Sequence, residues 1–397
     1  MSKKRSSAPS ALAPAKVRKA RVRADLGIAM VGHAFMGRAH ANAIRQANHF
    51  FDLPYRLVPR VVVGRDAARA EAVRETLGFE EASADLDAVL ARDDVHLVDI
   101  ATPNDSHCAL TLRALAAGKH VLCEKPLALT LDEARSMVVA AKKSKGRVGL
   151  WHNYRRCPAV SLAKRVIDRG DLGEVRHVRA TYLQDWLSDP QSPASWRTSA
   201  KTCGSGAHGD LNAHLVDLTL FLTGLAFESV GAMAQTFTKR RPTGGGKTAT
   251  VDVDDALAFL VRFRGGALGT FEATRVAPGR KNHNRIEING SKGSLAWNFE
   301  RMNELELFTF ADAGDVQGFR TIMCMDAKHP YAANWWPDGH VLGYEHTFVH
   351  HLVDFVQAVA TRKPFAPDFE DGFRVQAVLD AALRSAAAGA FVEVVKK

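Results

Sequence analysis

Two short motifs of this sequence hold the side chains best suited to moving a proton. Asp210 and His214 lie four residues apart in "GSGAHGDLNAHLVDL", and Lys125 follows an apolar run in "VLCEKPLALT". Four residues make about one turn of a helix, so the aspartate is predicted beside the histidine, where it would orient the imidazole as a general acid or base. The lysine would direct its ammonium group towards a crevice, although a surface charge is the simpler interpretation of a lone lysine.

Other interpretations of these residues remain open. Asp210 suits the N-cap of a helix, and His214 suits the core as a hydrogen-bonded histidine. Asp217 would share their helix face. His208, Asp210 and His214 are all residue types that bind metals, but the spacing indicates no fourth ligand, and no metal is predicted. Further histidines are interpreted as the polar face of a later helix: His346, His350 and His351.

The stretch "GIAMVGHAFMGRAH" is typical of a strand that enters a glycine turn and then a helix. The dinucleotide fingerprint Gly-x-Gly-x-x-Gly has its outer glycines at Gly32 and Gly37, with Ala34 at the middle position. Free amides at the N-terminus of such a helix bind a pyrophosphate. Because alanine adds only one methyl group, the stretch predicts a nucleotide site, with the pyrophosphate slightly displaced above Phe35 and Met36.

Further strand ends contribute polar residues to the same edge. The second strand ends in Gly64 and Arg65, and an arginine there suits the 2′-phosphate of NADP, with a solvated loop residue as the alternative. Asp66 lies too far along the chain to accept a hydrogen bond from the 2′-hydroxyl of the ribose, so NADP is favoured over NAD. Asn104 suits a helix N-cap as well as a ligand contact. The candidates for cofactor contact at later strand ends are Thr102, Pro103, Asn104, His107, Glu124 and Lys125.

These motifs require a sheet whose strands end at one edge, and residues 25–150 alternate short β-rich runs with helical patterns. The pattern predicts an α/β fold that begins with a Rossmann domain, a doubly wound parallel sheet. Its strands are predicted at 26–31, 57–63, 96–100, 119–123 and 147–151. Its clearest helices are predicted at 67–77 and 131–144.

Residues 151–397 change to runs of alternating polarity, which predict a C-terminal α/β domain with a large, mostly antiparallel open sheet. Strands are predicted at 175–186, 285–289, 294–297 and 305–310, with a hairpin turning at "RGG", residues 264–266. Helices at 210–222, 344–362 and 371–387 are predicted on one face of that sheet. The run "GGGKT" at 244–248 lacks the spacing of a P-loop and is interpreted as a hairpin loop.

The net charge of +10 is concentrated at the start of the 397-residue chain. Residues 1–24 carry eight basic and no acidic side chains, which is interpreted as a disordered extension and not a signal peptide. The charge of about +2 that remains does not favour nucleic acid as a partner. No run approaches the roughly 18 apolar residues of a membrane span. Five scattered cysteines without a Cys-x-x-Cys pair predict a reduced, cytoplasmic setting.

The motifs "GHAFMG", "ATPN", "EKP" and "GDLNAHLVDL", in this order and spacing, resemble those of the Gfo/Idh/MocA oxidoreductases over about residues 26–395. The resemblance implies a Rossmann domain, a second α/β domain, a nicotinamide cofactor in the cleft, and homodimers or homotetramers built through the second sheet. It also implies a catalytic trio of Lys125, Asp210 and His214. The family pattern Asp-x-Gly-x-His has Asn212 in place of its glycine here, which offers an amide to the substrate.

On this basis the chain is predicted to be an NAD(P)-dependent dehydrogenase that oxidises a hydroxyl of a sugar, an anhydrosugar or a cyclic polyol. His214 would be the acid/base oriented by Asp210, with Lys125 donating to the substrate oxygen, and the roles of His214 and Lys125 are exchangeable. Asn153 would contact the nicotinamide or substrate, and core packing is the alternative role for the tryptophans. The predicted substrate contacts are Tyr154, Arg155, Gln184, Asp185, Trp186, Trp196, Arg197 and Tyr344. The alternatives are an NAD-dependent glycosidase that retains its cofactor and a non-catalytic nucleotide-sensing protein.

Overall fold

The computed structural model describes residues 23–395, so the predicted basic extension lies outside the described residues except for its last two positions. Two α/β halves follow one another along this part of the chain. None of the helices in residues 23–395 is long and apolar enough to cross a membrane.

The N-terminal half is a doubly wound parallel sheet, as predicted. Its elements are β1 (Ala24–Val31), α1 (Phe35–Phe50), β2 (Tyr55–Val63), α2 (Ala67–Leu77), β3 (Glu81–Ser83), α3 (Leu86–Leu90), β4 (Leu97–Ile100), α4 (His107–Ala116), β5 (His120–Cys123), α5 (Leu131–Lys143) and β6 (Val148–Leu150). The strands lie in the order β3-β2-β1-β4-β5-β6, and all neighbours are parallel. The sequence prediction lacks β3, because a run of three residues carries no periodic signal.

The C-terminal half is built on a large mixed sheet that is mostly antiparallel, also as predicted. Its elements are α6 (Pro158–Asp168), β7 (Val175–Leu183), α7 (Ala200–Cys203), α8 (Ala213–Thr223), β8 (Phe227–Gln235), β9 (Arg240–Gly244), β10 (Lys247–Thr250), β11 (Ala256–Phe263), β12 (Leu268–Thr274), β13 (His283–Gly290), β14 (Gly293–Asn298), β15 (Glu304–Thr309), β16 (Arg320–Met323), α9 (Tyr344–Thr361), α10 (Phe369–Ala388) and β17 (Val392–Glu393). Among the described residues the sheet has the order β16-β15-β14-β13-β7-β12-β11-β8-β17, in which only β7 and β12 pair in parallel.

Both predicted hairpins are present in this half. β11 and β12 pair antiparallel and turn at Gly265 and Gly266, which both have a φ of +95°. β9 and β10 form a separate two-stranded hairpin at the "GGGKT" run. The P-loop interpretation is therefore excluded, because a P-loop leads from a strand into a helix.

One face of the large sheet is covered by helices and holds a core of its own. Side chains from α6, α8 and α10 pack there against the inward residues of β7, β11, β12 and β13. The prediction that helices at 210–222 and 371–387 lie on one face of this sheet is therefore confirmed. The opposite face exposes apolar side chains, among them Met233, Leu260 and Leu268.

The helix predicted at 344–362 does not lie on the large sheet. α9 instead packs against α1, and its apolar residues share a core with β1, β2 and β4 of the parallel sheet. Phe348, Leu352 and Phe355 are all buried in that core. The prediction was wrong because helical periodicity shows that a helix has a buried face but not which sheet covers it.

Candidate active site

A glycine turn joins the end of β1 to the start of α1. Gly32 has a φ of +96°, and a Cβ there would lie 2.6 Å from the carbonyl oxygen of Ala101. A Cβ on Gly37 would lie 2.5 Å from the carbonyl oxygen of Gly32, so α1 packs closely against the turn. The N-cap of α1 is Ala34, which supplies no side-chain cap, and the first turn has no acidic residue. The amides of that turn therefore suit an anionic pyrophosphate.

The end of β2 offers an arginine at the predicted ribose position. A Cβ on Gly64 would lie 2.9 Å from Nε2 of His33, so the glycine permits a close approach between these turns. Arg65 is exposed. The carboxylate of Asp66 accepts from the main-chain amide of Arg69 at 3.1 Å and serves as the N-cap of α2.

His107 ties the turns after β4 and β5 together behind the cleft. Its Nδ1 lies 2.9 Å from the carbonyl oxygen of Pro126, and its Nε2 lies 3.0 Å from that of Thr102. The predicted contact of His107 with a cofactor is corrected, because the buried ring at the start of α4 faces these protein carbonyls. Asn104 donates from Nδ2 to the carbonyl oxygen of Cys203 at 3.0 Å, which joins this turn to the C-terminal half.

Both halves of the chain line one cleft, with a cavity volume of about 690 Å³. The residues on its lining that the sequence indicated are Ala34, Phe35, Met36, Thr102, Pro103, Asn104, Glu124, Lys125, Asn153, Tyr154, Gln184, Trp186, Trp196, Arg197, Asp210, His214 and Tyr344. Lining residues that the sequence did not indicate include Tyr182, Cys203, Ser205, Arg275, Asn282 and Phe299. The first turn of α1 therefore opens into the same cavity as the lysine, the aspartate and the histidine.

The candidate catalytic lysine and aspartate form an ion pair in this cleft. Nζ of Lys125 donates to Oδ1 of Asp210 at 2.7 Å and to its carbonyl oxygen at 3.0 Å. The other carboxylate oxygen, Oδ2, accepts from Nη2 of Arg275 at 2.9 Å. Burial opposes ionisation, but the neighbouring cations hold the pKa of the Asp210 carboxyl well below its usual value. The prediction that Asp210 orients His214 is therefore corrected, since its carboxylate binds two cations.

A π-helical turn, His208–Asn212, sets the direction of the Asp210 side chain ahead of α8. Asp254 anchors the turn, because its carboxylate accepts from the amides of Gly206 and His208, each at 2.7 Å. The wider i→i+5 spacing of a π-turn takes Asp210 out of α-helical register with the residue four positions later. Asn212 points inward, with Nδ2 3.0 Å from Nδ1 of His208. Its predicted substrate contact is corrected, because it does not line the cleft.

His214 lies on the wall of the cleft against other rings. Its ring centroid is 4.6 Å from that of Tyr154 and 5.7 Å from that of His152. Burial, together with the charge of Lys125, holds the pKa of His214 well below its ordinary value. Its Nδ1 has no hydrogen-bond partner within residues 23–395. The imidazole is therefore neutral at neutral pH, the form that accepts a proton.

A connected series of polar groups forms the sheet side of the cleft. The hydroxyl of Tyr182 donates to Oδ1 of Asn282 at 2.7 Å, which leaves Tyr154 to donate to Tyr182 at 2.8 Å. Gln184 donates to the same oxygen of Asn282 at 2.8 Å and accepts from Nε1 of Trp186 at 2.9 Å. We call these five residues the polar wall. Alternate residues of a strand share a face, so the spacing of 182, 184 and 186 was a usable signal for Tyr182.

Two predicted substrate contacts lie outside the cleft. Arg155 is buried, and its Nε donates to Oδ2 of Asp217 at 2.8 Å, which ties the segment after β6 to α8. Asp185, two residues beyond the end of β7, forms an ion pair with Lys281 at 2.6 Å and does not line the cavity. Both residues are therefore corrected to structural contacts. Sequence motifs indicate polarity at these positions but not which way the side chain points.

The late histidines are buried and do not form a polar helix face. His346, His350 and His351 all lie in the interior, where Nε1 of Trp335 donates to Nε2 of His350 at 2.7 Å. His208 is also buried, and its Nε2 lies 3.0 Å from a carbonyl oxygen of α10. No group of three or more potential metal ligands occurs among the described residues.

A histidine that no motif indicated, His40 of α1, lies beneath the cleft. Its Nδ1 is 2.9 Å from Asp99, and its Nε2 is 3.1 Å from Glu124. Trp151 stacks on the ring with centroids 4.2 Å apart and donates from Nε1 to Asp99 at 2.9 Å. Burial opposes protonation, but the two carboxylates raise the pKa of His40 to about 9. The network fastens α1 to the ends of β4 and β5 and holds Glu124 at the cleft.

The fold and the cleft together define a two-domain oxidoreductase that binds a dinucleotide. Residues 26–152 match the oxidoreductase family with an NAD-binding Rossmann fold, and residues 160–296 match the GFO/IDH/MocA C-terminal domain. The chain belongs to the Gfo/Idh/MocA family of oxidoreductases. It is therefore an NAD-binding enzyme, and the resemblance seen in its motifs is confirmed.

Several relatives are similar along nearly the whole chain. Levoglucosan dehydrogenase of Pseudarthrobacter phenanthrenivorans is 38% identical over 385 residues, covering 93% of this chain and 98% of that protein. Inositol 2-dehydrogenase of Rhizobium meliloti is 28% identical, covering 90% and 96%. Among solved structures, an oxidoreductase domain protein from Kribbella flavida has a TM-score of 0.92 at 50% identity, and levoglucosan dehydrogenase in complex with NADH and levoglucosan has 0.91 at 39%. Both comparisons cover 94% of this chain and all of the other.

Proposed function

We propose that this enzyme oxidises one hydroxyl group of a sugar, an anhydrosugar or a cyclic polyol. The observation that carries the proposal is the pair formed by Lys125 and Asp210, 2.7 Å apart in the same cavity as the first turn of α1. The polar wall suits the hydroxyls of such a substrate, and the faces of Trp186 and Trp196 suit its C–H surfaces. Relatives named for levoglucosan and inositol support this substrate class.

The roles of the two acid/base candidates follow from their hydrogen bonds. NAD(P), when bound, supplies the acceptor for the hydride that leaves the substrate carbon. Lys125 has three N–H donors, of which two go to Asp210, so the third is available to the substrate oxygen. His214, held neutral by burial, accepts the hydroxyl proton. The ammonium group then stabilises the negative charge that develops on the oxygen. The opposite assignment, with Lys125 as acceptor, predicts a different pH profile.

The uncapped first turn of α1 fits the pyrophosphate of a dinucleotide, and the choice between NAD and NADP depends on the end of β2. We propose that Arg65 admits the 2′-phosphate of NADP, so that the enzyme binds NADP as well as NAD. The position supports this because Arg65 is exposed, while the carboxylate of Asp66 is engaged as a helix cap. Thr102, Pro103 and Asn153 line the cavity where they would contact the cofactor.

Titration of NADH and NADPH by fluorescence tests the proposal for the cofactor. We expect Arg65→Ala to weaken the binding of NADPH about tenfold, equivalent to about 1.4 kcal/mol, with little effect on the binding of NADH. Asp66→Asn, which alters the charge at the neighbouring position, is the matched control and should not change the ratio in the same way. A clear preference of the wild-type enzyme for NADH, unaffected by Arg65→Ala, would show that the proposal is wrong.

A substrate screen tests the proposed reaction. Levoglucosan, inositols and aldoses are each incubated with both cofactors, and reduced cofactor and oxidised sugar are measured in the same sample. We expect equal amounts of the two products. Cleavage of a glycoside without net reduced cofactor would instead identify a glycosidase, and cofactor binding without turnover of any sugar would support a sensing protein.

We also propose that the enzyme assembles as a homodimer or homotetramer through the open face of its large sheet. Met233, Leu260 and Leu268, from three neighbouring strands, are 80%, 54% and 47% exposed on that face. A second copy of the same face would cover them, since closed homo-oligomers form through self-complementary surfaces. Phe391, 52% exposed, lies against Gly231 at the margin of this patch.

A further inference from the structure

Arg275 is a buried arginine of the cleft that the mechanism above does not use. It directly follows β12, and only 2% of its surface is exposed. Its main-chain amide donates to the carbonyl oxygen of Asp255 at 3.1 Å, which fixes its backbone to the start of β11. Its guanidinium carbon lies 5.4 Å from the ring centroid of Trp186. An arginine withdrawn from water to this extent needs partners for its charge.

Those partners belong to the catalytic pair. Nη2 donates to Oδ2 of Asp210 at 2.9 Å, while Lys125 donates to Oδ1 at 2.7 Å. Nη1 donates to the carbonyl oxygen of Arg197, a cleft residue, at 3.1 Å. Because each oxygen of the carboxylate has its own charged donor, the carboxylate cannot rotate without breaking a hydrogen bond. Arg275 therefore fixes the oxygen that Lys125 uses.

The two donors differ in how they carry charge. A guanidinium group stays protonated, whereas an ammonium group can exchange its proton. Without Arg275, the whole charge of Asp210 would act on the ammonium group of Lys125 and hold that group in one orientation more firmly. The other charged or titratable groups around this pair are Glu124, His152, Tyr182, Arg197, Cys203, His214 and Tyr344.

We propose that Arg275 is a positioning residue for the reaction: it fixes the Asp210 carboxylate and offsets its charge, so that Lys125 stays free to turn an N–H towards the substrate oxygen. The inference rests on the proposed function. Arg275 also connects the catalytic pair to the proposed sugar-binding side of the cleft, because its guanidinium donates to the main chain of Arg197 and lies near the ring of Trp186.

The chemical reactivity of the Lys125 amine tests this proposal without needing a substrate. The folded enzyme is treated briefly with acetic anhydride at neutral pH, and labelling of Lys125 is measured by mass spectrometry relative to the exposed Lys145. We expect Arg275→Gln to lower the relative labelling of Lys125 about tenfold, because a carboxylate that has lost its second charged donor binds the Lys125 amine with both oxygens and leaves it less available to the reagent. Arg275→Lys, which keeps the charge, should restore most of the labelling.

Arg241→Met is the matched control. Arg241 is also fully buried and donates to the carbonyl oxygen of Leu187 at 2.7 Å, but it makes no hydrogen bond to Asp210. Its loss should leave the relative labelling of Lys125 unchanged. Equal labelling in wild type and Arg275→Gln, or an equal loss in Arg241→Met, would overturn the proposal.

Kinetics of the charge-keeping variant give a second measurement, made with the sugar that the screen identifies. Arg275→Lys lacks the planar guanidinium that donates to Asp210 and to Arg197 at the same time. We therefore expect kcat to fall about tenfold, with KM within about threefold of wild type. An unchanged kcat would overturn the positioning role even if Arg275→Gln did not fold. Failure of every sugar in the screen would instead overturn the proposed function, and labelling of Lys125 in the Arg275 variants would still show whether Arg275 controls the Lys125 amine.

Discussion

At the scale of single residues, Lys125 and His214 carry the proposed chemistry and can be tested by substitution. We expect Lys125→Met and His214→Asn each to lower kcat about a thousandfold, because each removes a group that acts on the reacting oxygen. The affinity for NADH should change by less than about threefold, since the hydrogen bonds and ring contacts of Lys125 and His214 within residues 23–395 do not involve the first turn of α1. Steady-state rates and NADH titration measure the two quantities. Turnover close to wild type in either variant would contradict the assignment.

The pH dependence distinguishes which of the two residues accepts the proton. Burial and the charge of Lys125 lower the pKa of His214 below its usual value of 6.5. An imidazole accepts a proton only when neutral, so we expect kcat/KM to stay level from about pH 8 to about pH 6.5 and to fall only in more acid solution. A profile that climbs steadily above neutral pH would assign the acceptor role to Lys125.

The sequence located the three candidate catalytic residues but not their surroundings. Lys125, Asp210 and His214 stand in short motifs, each beside a strand end or a helix start that can be recognised locally. Arg275 and Asn282 reach the same cleft only because β12 and β13 pair on either side of β7, about 100 residues earlier in the chain. No local pattern carries such a pairing, so Arg275, the second cation bound to Asp210, and Asn282 of the polar wall became visible only in the fold.

At the scale of elements, the turn between β1 and α1 depends on a glycine for two separate reasons. Gly32 has a positive φ, and its Cβ would also meet the carbonyl of Ala101 at 2.6 Å. We expect Gly32→Ala to destabilise the protein by about 2–4 kcal/mol and to abolish NADH binding. Gly78→Ala is the matched control, because Gly78 has a φ of +78° with nothing within 4 Å of its Cβ. Gly78→Ala should lower the free energy of unfolding by about 1 kcal/mol and leave NADH binding intact.

Urea unfolding and NADH titration measure both variants. The comparison separates the strain of the backbone from the collision of the side chain. Loss of NADH binding in Gly78→Ala, or unchanged binding in Gly32→Ala, would contradict this account of the turn.

The attachment of α1 to β4 and β5 through His40 makes stability depend on pH. The pKa of His40 is raised to about 9 by Asp99 and Glu124, against a usual value of 6.5 in the unfolded chain. The stabilisation is therefore complete below about pH 6.5 and is lost as the pH rises through about 9. We expect the difference in unfolding free energy between wild type and His40→Gln to shrink by on the order of 3 kcal/mol over this range. A difference independent of pH, measured by urea unfolding, would contradict a charged His40.

The boundaries of most elements followed from the sequence, whereas their partners did not. Alternating polarity and helical spacing located β11, β12, α5 and α10 to within a few residues. The same helical spacing does not identify the sheet that α9 covers, and the prediction named the wrong one. The three histidines of that helix were likewise predicted on the surface but are buried. Burial of His350 against Trp335 depends on a loop whose path the sequence pattern does not reveal.

At the scale of the whole molecule, the open face of the large sheet is expected to join copies of the chain. Leu260→Glu places a charge at the centre of the apolar patch, opposite Gly231 and Thr270 on the neighbouring strands. We expect this variant to shift the enzyme to a monomer, measured by size-exclusion chromatography with light scattering. Val341→Glu alters a residue that is 68% exposed in a loop outside the sheet and should keep the wild-type mass. A wild-type enzyme that is already monomeric would contradict the proposed assembly.

The return of α9 to the parallel sheet has a consequence for synthesis. That sheet receives its last strand, β6, at Leu150, but the helix that covers one of its faces ends at Thr361, about 200 residues later. Until then α1 alone packs on this face. At ribosomal speeds of roughly 5–20 residues per second, the part of the face that α1 leaves open waits about 10–40 seconds for α9. A chimera that exchanges only the nucleotide-binding half between relatives would therefore pack α9 of one relative against the sheet and α1 of the other.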